Sequence, residues 1–274
     1  MKPQKKKAKI GIVGCGAIGS RMAKSITTEL KDDCRLAAVY DIDLKKAQEL
    51  AQKISPRAFK KSYADLLNSS EFVIEAVNAD DTYTIIKEAL NSKKNVLSMS
   101  VGKLLGRRDL FRLAEKNGCR ILIPSGAIAG IDAIKAAGLA KISSITLTTR
   151  KPPAGFFSGP SVVEKRMNLS EITQETVIFD GDVDTAVKLF PHNINVAATI
   201  ALASGVQEKM SIRIITSPDY KTNSHEIEVT GDFGRITTRT DNAVCPDNPK
   251  TSYLAVLSAI QTLKQFFGGI KVGT

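Results

Sequence analysis

Residues 9–19 of this chain read Lys9-Ile10-Gly11-Ile12-Val13-Gly14-Cys15-Gly16-Ala17-Ile18-Gly19. The apolar residues predict a buried strand, and the glycines after it have the spacing G-x-G-x-x-G at Gly14, Gly16 and Gly19. The first glycine permits a tight turn, the second leaves room for a pyrophosphate, and the third lets a helix pack closely on the strand. The stretch therefore predicts a strand, a turn and a helix whose N-terminus can bind the phosphates of a dinucleotide.

The residues that follow this glycine turn strengthen the prediction. We expect a helix over 17–30 and an apolar strand over 36–40, which ends at Asp41. This acid lies at about the 20-residue distance typical of a carboxylate that binds the ribose hydroxyls of NAD. A glycine turn without a ligand is the alternative, and the order of these elements argues against it. Because Asp41 would repel a 2′-phosphate, we expect NAD to be preferred, with NADP tolerated because Lys45 and Lys46 lie close by in sequence.

Helical and strand patterns alternate from residue 9 to residue 123. Beyond Asp41 they predict helices over 44–54, 63–67, 82–92 and 107–117 and strands over 71–77, 95–101 and 120–124. Such units build a parallel, doubly wound α/β sheet of the Rossmann type, whose ligands bind beyond the carboxyl ends of the strands. The predicted cofactor contacts in this region are Gly14, Gly16, Ala17, Ile18, Gly19, Asp41, Ala76, Val77, Ser100 and Val101.

Small residues at 125–130 follow the fifth predicted strand. They either let a nicotinamide ring approach the backbone or form the entry of a helix, and their composition favours neither interpretation.

The pattern changes from residue 131 onward. Short strands are predicted over 143–149, 176–179, 210–216, 226–230 and 235–240, with helices over 182–189 and 195–203 and a turn at 231–234. This predicts a second, α+β domain over 131–245 with a mainly antiparallel sheet for substrate binding and dimerisation. The dinucleotide-binding domain then takes 1–130 together with 246–274, where a helix over 251–267 is expected to fold back onto it.

The composition is that of a globular protein. The 274 residues are 43% apolar and 24% charged, no apolar run is long enough for a membrane span, and no secretory signal is recognisable. We therefore expect a cytoplasmic protein, with no membrane partner. The four cysteines lack metal-ligand spacing and are expected to be free thiols. The net charge of +11 includes five lysines within residues 1–9, but no nucleic-acid motif accompanies them, so we expect neither a metal nor a nucleic-acid partner.

Few side chains are candidates for proton transfer or substrate binding. The chain has two histidines, His192 and His225, and each is a candidate acid or base because imidazole titrates near neutral pH. Their positions alone do not separate them. Arg150 and Lys151 end a predicted strand and could bind a substrate carboxylate, or they could form a solvated basic pair.

Two asparagines, Asn193 and Asn195, stand before or at the start of a predicted helix. Capping of the helix is the simple explanation for one of them. An amide at this point could also bind the nicotinamide carboxamide or its ribose, and Asn193 is a further candidate for binding the substrate. Cys15 lies where only a small side chain is needed, so we interpret it as a space-filling residue and not as a nucleophile.

Five stretches together resemble the L-aspartate dehydrogenase family. They are Gly11-Ile-Val-Gly-Cys-Gly-Ala-Ile-Gly19, Val96-Leu-Ser-Met-Ser-Val-Gly-Lys103, Ile123-Pro-Ser-Gly-Ala-Ile-Ala-Gly-Ile-Asp-Ala133, Phe190-Pro-His-Asn-Ile-Asn-Val-Ala-Ala198 and Asn223-Ser-His-Glu-Ile227. The first stretch is generic to dinucleotide enzymes, and the third and fourth are much more specific. A departure from the family pattern is the stretch 75–78, which is smaller and less polar in many relatives.

The resemblance implies an enzyme that oxidises L-aspartate to iminoaspartate with NAD or NADP. The product can enter NAD biosynthesis or hydrolyse to oxaloacetate and ammonia. The resemblance also selects His225 as the catalytic residue, because the family's catalytic histidine matches the Asn-x-His-Glu motif. It supports cofactor contacts around Ala127 and Ala129 and at Asn195. By analogy with second domains whose exposed sheets pair, we expect a homodimer.

Two other classes of protein are alternatives. One is another two-domain oxidoreductase of amino-acid metabolism, similar to homoserine dehydrogenase or dihydrodipicolinate reductase, which shares the first domain but lacks the motifs at 190–198 and 223–227. The other is an NAD-binding sensor without turnover, in which we would expect a broken glycine turn or no base.

Overall fold

The computed structural model describes residues 7–77, 79–156, 169–190, 194–246 and 248–273. The chain forms two compact units. Unit one consists of Met1–Pro124 and Val256–Lys271, and unit two of Ser125–Ala255 and Val272–Thr274. The chain thus leaves unit one after its fifth strand and returns to it with its last helix.

Unit one contains a five-stranded parallel sheet with helices between the strands. In chain order its elements are β1 (Ala8–Val13), α1 (Ala17–Thr27), β2 (Cys34–Tyr40), α2 (Leu44–Ile54), α3 (Tyr63–Ser69), β3 (Phe72–Glu75), α4 (Thr82–Asn91), β4 (Asn95–Ser98), α5 (Arg108–Lys116) and β5 (Ile121–Leu122). The strand order is β2-β1-β3-β4-β5, and all neighbours are parallel. The predicted Rossmann-type α/β fold is confirmed.

The core of this sheet is apolar because its strands are covered on both faces. Ile10, Ile12, Phe72 and Ile74 are all buried on the neighbouring inner strands β1 and β3. The order of the strands reverses between β1 and β3, and this reversal opens a crevice beyond their carboxyl ends. The glycine turn lies at this point.

Some predicted bounds in unit one are wrong by a few residues. Helix α1 ends at Thr27 and not at residue 30, and β3 ends at Glu75, two residues early. Strand β4 ends at Ser98, and Val101 begins a short 3₁₀ turn over Val101–Leu104. The ends of parallel strands are set by their neighbours in the sheet, which apolar runs in the sequence do not record.

Unit two contains a mixed sheet and three helices among the described residues. Its elements are α6 (Ile131–Ala137), β6 (Ile142–Lys151), β7 (Thr176–Asp182), α7 (Val183–Leu189), α8 (Asn195–Ser204), β8 (Met210–Thr216), β9 (Asn223–Gly231), β10 (Gly234–Asn242), β11 (Val244–Cys245) and β12 (Asn248–Ser252). The five-stranded sheet has the order β10-β9-β6-β8-β7, with β6 and β8 parallel and the other neighbours antiparallel. The predicted turn at 231–234 joins β9 to β10.

The last helix, α9 (Tyr253–Phe267), begins two residues later than predicted because residues 248–252 form β12. From Val256 onward it belongs to unit one, where the ring of Phe72 lies 5.3 Å from that of Phe266 and 5.6 Å from that of Phe267. None of the described helices is both long and apolar enough to span a membrane.

Candidate active site

A cleft of about 430 Å³ lies in unit one at the reversal between β1 and β3. It is formed by the segments that follow β1, β2 and β3, together with parts of α2, α3 and α4. Its lining residues are Val13, Gly14, Gly16, Tyr40, Asp41, Ile42, Lys46, Tyr63, Ala76, Val77, Ala79, Asp81 and Ile85. Five of the predicted cofactor contacts therefore share one cleft: Gly14, Gly16, Asp41, Ala76 and Val77.

The glycines of the turn have different physical roles. Gly14 has a φ of +93°, and a Cβ there would lie 2.5 Å from the carbonyl oxygen of Ala76. A Cβ on Gly19 would lie 1.9 Å from the carbonyl oxygen of Gly14, so this glycine permits α1 to pack on the turn. A Cβ on Gly16 would meet no atom within 4 Å. The fold therefore needs the first and third glycines, whereas the second leaves space that a pyrophosphate can occupy.

Asp41 organises the glycine turn from the end of β2. Its Oδ2 accepts a hydrogen bond from the backbone N–H of Cys15 at 2.7 Å, and its Oδ1 accepts one from the N–H of Asp43 at 2.9 Å. Each carboxylate oxygen has a second lone pair, which a ribose hydroxyl could use. Burial and the charge of Asp41 raise the pKa of the Cys15 thiol to about 12. Cys15 therefore stays protonated, as a space-filling residue should.

Glu75 is a fully buried carboxylate that connects the loops after β3 and β4. Its Oε1 accepts hydrogen bonds from the Val77 N–H at 3.0 Å and the Ser100 hydroxyl at 2.7 Å. Its Oε2 accepts from the Ser98 hydroxyl at 2.7 Å and the Ser100 N–H at 3.2 Å. Ser100 and Val101, both predicted cofactor contacts, are buried here and do not line the cleft. Glu75 instead sets the position of Val77, which does.

The remaining predicted contacts in unit one lie at the start of α1. Ala17 is exposed and Ile18 half-buried, and neither lines the cleft. Residue Asn78 lies outside the described residues.

In unit two, the buried face of the sheet changes character along β6. Ile145 and Leu147 are apolar, and the next two residues on the same face, Thr149 and Lys151, are polar but still buried. His225 on β9 lies directly opposite Thr149, and its side chain is 5% exposed. Because opposite residues of an antiparallel pair project from the same face, Thr149, Lys151 and His225 form a buried polar cluster.

The electrostatics of this cluster keep the histidine neutral. Thr149 Oγ1 lies 3.0 Å from Nδ1 of His225. Burial, and then the charge of Lys151, lower the pKa of His225 to about 3. Burial also lowers the pKa of Lys151 to about 8. The imidazole of His225 is therefore neutral at pH 7, and a bound anion would favour the charged forms of both His225 and Lys151.

Arg150 lies on the other face of the sheet. Its guanidinium forms an ion pair of 3.1 Å with Glu226, so the structure brings Lys151 to the histidine but not Arg150. Strict alternation along β6 separates the two basic residues, and the sequence did not show which of them faces inward.

Asn195 is the first residue of α8, and the residue that caps this helix is Ile194. Of the two asparagines suggested as caps, Asn195 is therefore not the cap, because its backbone is already helical. The other predicted residues in this segment, His192 and Asn193, lie outside the described residues.

The small residues 125–130 are tied to β10 through their carbonyl groups. The Ala127 carbonyl accepts hydrogen bonds from Thr240 Oγ1 at 2.9 Å and Asn242 Nδ2 at 3.0 Å. The Ala129 carbonyl accepts one from Thr238 Oγ1 at 3.2 Å. Helix α6 begins after them, at Ile131. These long-range bonds hold the stretch in a non-helical form.

Sequence reasoning did not assign a role to Glu75 or Asn242. Glu75 gave a signal, since a charged residue within an apolar strand of a parallel sheet has to be satisfied by donors. Asn242 gave none, because its contact with Ala127 spans more than a hundred residues.

Two family models match the chain. Residues 14–124 match the NAD-binding domain of homoserine dehydrogenase, and residues 132–266 match the C-terminal region of aspartate dehydrogenase. Together with the parallel sheet and its glycine turn, these matches define the class: an oxidoreductase that uses a pyridine nucleotide bound to a Rossmann-type unit.

Relatives that match this chain over its whole length identify the family within this class of oxidoreductases. The chain is 43% identical to the L-aspartate dehydrogenases of Methanosarcina barkeri and of Methanosarcina mazei, over 97% of this chain and 99% of each relative. The crystal structure of aspartate dehydrogenase from Thermotoga maritima matches with a TM-score of 0.74 at 24% identity, over 97% of this chain and 99% of that one. The chain belongs to the L-aspartate dehydrogenase family, which confirms the resemblance seen in its motifs.

Proposed function

We propose that the chain oxidises L-aspartate to iminoaspartate, which then hydrolyses to oxaloacetate and ammonia. The observation that carries this proposal is the buried polar cluster in which His225, from the family's Asn-x-His-Glu motif on β9, lies opposite Thr149 and on the same face as Lys151 of β6. The identity of the substrate, L-aspartate, is inferred from the names of the relatives. Unit one would bind the dinucleotide, and unit two the substrate.

His225 is assigned as the base that makes the substrate amine neutral. A nicotinamide bound to unit one would supply the acceptor for the hydride that leaves Cα of the substrate, and the substrate nitrogen must lose a proton for the C=N bond to form. Since Thr149 engages Nδ1 of His225, we assign the proton transfer to Nε2. The low pKa of the imidazole keeps this nitrogen unprotonated before substrate binds.

Lys151 is assigned to a carboxylate of the substrate. Its ammonium is buried on the face of the sheet that carries His225, where it could bind a carboxylate of a dicarboxylate substrate. Asn193 is proposed as a second substrate contact. Arg150 was predicted for the same role, but its ion pair with Glu226 on the outer face makes it the natural control residue.

The test is reduction of NAD or NADP by purified protein with L-aspartate, followed by the absorbance of the reduced nicotinamide. L-homoserine and other amino acids are assayed in parallel, because the match of unit one to homoserine dehydrogenase keeps that enzyme as a second candidate. We expect turnover with L-aspartate, a loss of about 10²-fold or more in His225→Asn, a raised KM for aspartate in Lys151→Met and little change in Arg150→Met. Turnover confined to homoserine, or none with any amino acid despite cofactor binding, would contradict the proposal.

NAD is proposed as the preferred cofactor, with NADP tolerated. Asp41 disfavours a 2′-phosphate, whereas Lys46 lines the same cleft and its Nζ lies 3.7 Å from Asp43. We expect Lys46→Met to reduce kcat/KM for NADP and to leave that for NAD nearly unchanged. Lys45→Met is the control, since Lys45 does not line the cleft. A wild-type preference for NADP would overturn this assignment.

A homodimer in the cytoplasm is proposed as the working state. Thr146, Thr148 and Glu228 lie on the outer face of the second sheet, which offers polar groups for pairing with a second copy. The four cysteines are all buried as free thiols, which suits a reducing compartment. Light scattering should give twice the chain mass of 29.5 kDa; a value equal to one chain would exclude the dimer.

A further inference from the structure

The cleft of unit one has two parts of different chemistry. In one part, the glycine turn leaves open space at Gly16 and presents the N-terminus of α1 to phosphates. The other part is formed by the end of β2 with α3 and α4, and its lining includes Ile42, Tyr63 and Ile85. Ile42 directly follows Asp41, the residue positioned to bind a ribose. The apolar part of the cleft is therefore suited to the base that the ribose carries.

Tyr63 gives this apolar part a fixed wall. Its ring stacks on that of Tyr40 with the centroids 6.3 Å apart, and its hydroxyl donates to the carbonyl of Ile85 at 2.7 Å. Burial raises the pKa of the Tyr63 phenol, so it stays protonated and keeps this bond. Ile42, which is 87% exposed, adds an apolar surface that a flat ring can cover.

Asp81 adds a carboxylate that the fold does not use as a cap. It is the N-cap residue of α4, but its backbone is helical (φ −69°, ψ −10°), and its side chain makes no capping hydrogen bond. Asp81 lies four residues before Ile85, so both are on one face of α4, and both line the cleft. The neighbouring Asp80 does not line the cleft and pairs with Lys103 Nζ at 2.6 Å. Asp81 therefore presents an acceptor to a ligand in the apolar part.

We propose that Asp81 accepts a hydrogen bond from the exocyclic amino group of an adenine base and so selects adenine dinucleotides over those of 6-keto purines. A carboxylate only accepts hydrogen bonds, and the amino group is the donor on the edge of adenine. In hypoxanthine a keto oxygen replaces that amino group, so two acceptors would meet. The inference goes beyond the proposed function, since it requires a dinucleotide in the cleft but no particular substrate.

The test measures the affinities of NAD and of nicotinamide hypoxanthine dinucleotide by isothermal titration calorimetry. We expect wild type to bind NAD about tenfold more tightly. In Asp81→Asn the preference should be lost, because the amide can accept from the amino group or donate to the keto oxygen. Loss of the negative charge changes the affinity for both anionic ligands alike, so the ratio of the two affinities is the quantity that reports on Asp81.

Asp80→Asn is the matched control, because it removes the same charge one residue away and outside the cleft. It should keep the preference for NAD. A carboxylate at a helix N-terminus also stabilises the helix through its dipole. If this were the only role of Asp81, Asp81→Asn would be less stable in urea but would keep the preference, and the inference would be overturned.

Wild type alone also gives a test. Equal affinity of wild type for the two dinucleotides would overturn the inference without any variant. Failure of both to bind would refute the assignment of the cleft as the dinucleotide site. Tight and selective binding of NAD without turnover of L-aspartate would leave the inference standing and contradict the proposed function alone.

Discussion

At the scale of single residues, Glu75 is the side chain on which the first site depends most. Each of its carboxylate oxygens accepts one backbone N–H, from Val77 and from Ser100. In Glu75→Gln, the amide NH₂ must face one of these N–H groups in either orientation, and a backbone donor cannot reverse. We predict a loss of about 1–3 kcal/mol in the free energy of unfolding, measured with urea, and weaker binding of NAD because Val77 shifts.

Ser98→Ala serves as the control for this prediction. It removes one hydroxyl donor to Oε2 but leaves the Ser100 N–H on that oxygen, so the loss should be smaller than in Glu75→Gln. If Glu75→Gln were as stable as wild type and bound NAD equally well, the donors around Glu75 would not require a carboxylate, and its organising role would be refuted.

His225 gives the pH dependence of stability at the same scale. Its pKa falls from 6.5 to about 3 on folding, so the unfolded chain takes up a proton first as the pH is lowered. The stability that the neutral imidazole contributes is therefore complete above about pH 6.5 and is lost towards pH 3, by about 1.4 kcal/mol per pH unit. The free energy of unfolding is measured with urea at several pH values for wild type and for His225→Asn. The difference between the two proteins should change with pH by this amount. A difference independent of pH would mean that the imidazole titrates normally.

At the scale of elements, the turn between β1 and α1 contains one glycine that the packing of the fold requires, Gly19, and one that only ligand binding requires, Gly16. Gly19→Ala puts a Cβ 1.9 Å from the Gly14 carbonyl and should force α1 away from the turn, with a clear loss of stability. Gly16→Ala meets no protein atom, so its unfolding midpoint should match wild type while its affinity for NAD falls. Calorimetry and urea unfolding on both variants test this. If Gly16→Ala bound NAD as tightly as wild type, the prediction that the pyrophosphate occupies the space beside Gly16 would be refuted.

The elements also show what the sequence could predict. Helix α2 has the predicted bounds, because its apolar period and the N-cap Asp43 are local signals. The parallel sheet followed from the alternation of strands and helices. By contrast, the inward position of Lys151 and the bond between Asn242 and Ala127 depend on which strands become neighbours. No local pattern in the sequence records that choice, so these two features of unit two could not be predicted.

At the scale of the whole molecule, unit one is completed only by the end of the chain. Its core takes Phe72 from β3 and the rings of Phe266 and Phe267 from α9, almost two hundred residues later. The amphipathic period of the last helix predicted a buried face but could not name the surface that covers it. Since Val256–Lys271 belongs to unit one, the dinucleotide-binding unit is built from two segments of the chain that unit two separates in sequence.

Two leucines of α9 test this dependence. Leu263 is 0% exposed and Leu257 is 39% exposed, so the same substitution on the same helix removes core volume in one case and surface in the other. Leu263→Ala should lower the free energy of unfolding by about 2–5 kcal/mol, and Leu257→Ala by about 0.5 kcal/mol or less. Because the lost volume lies in unit one, Leu263→Ala should also unfold the NAD site first, seen as loss of NAD binding at urea concentrations where wild type still binds. Equal effects of the two substitutions would mean that α9 is not part of the core of unit one.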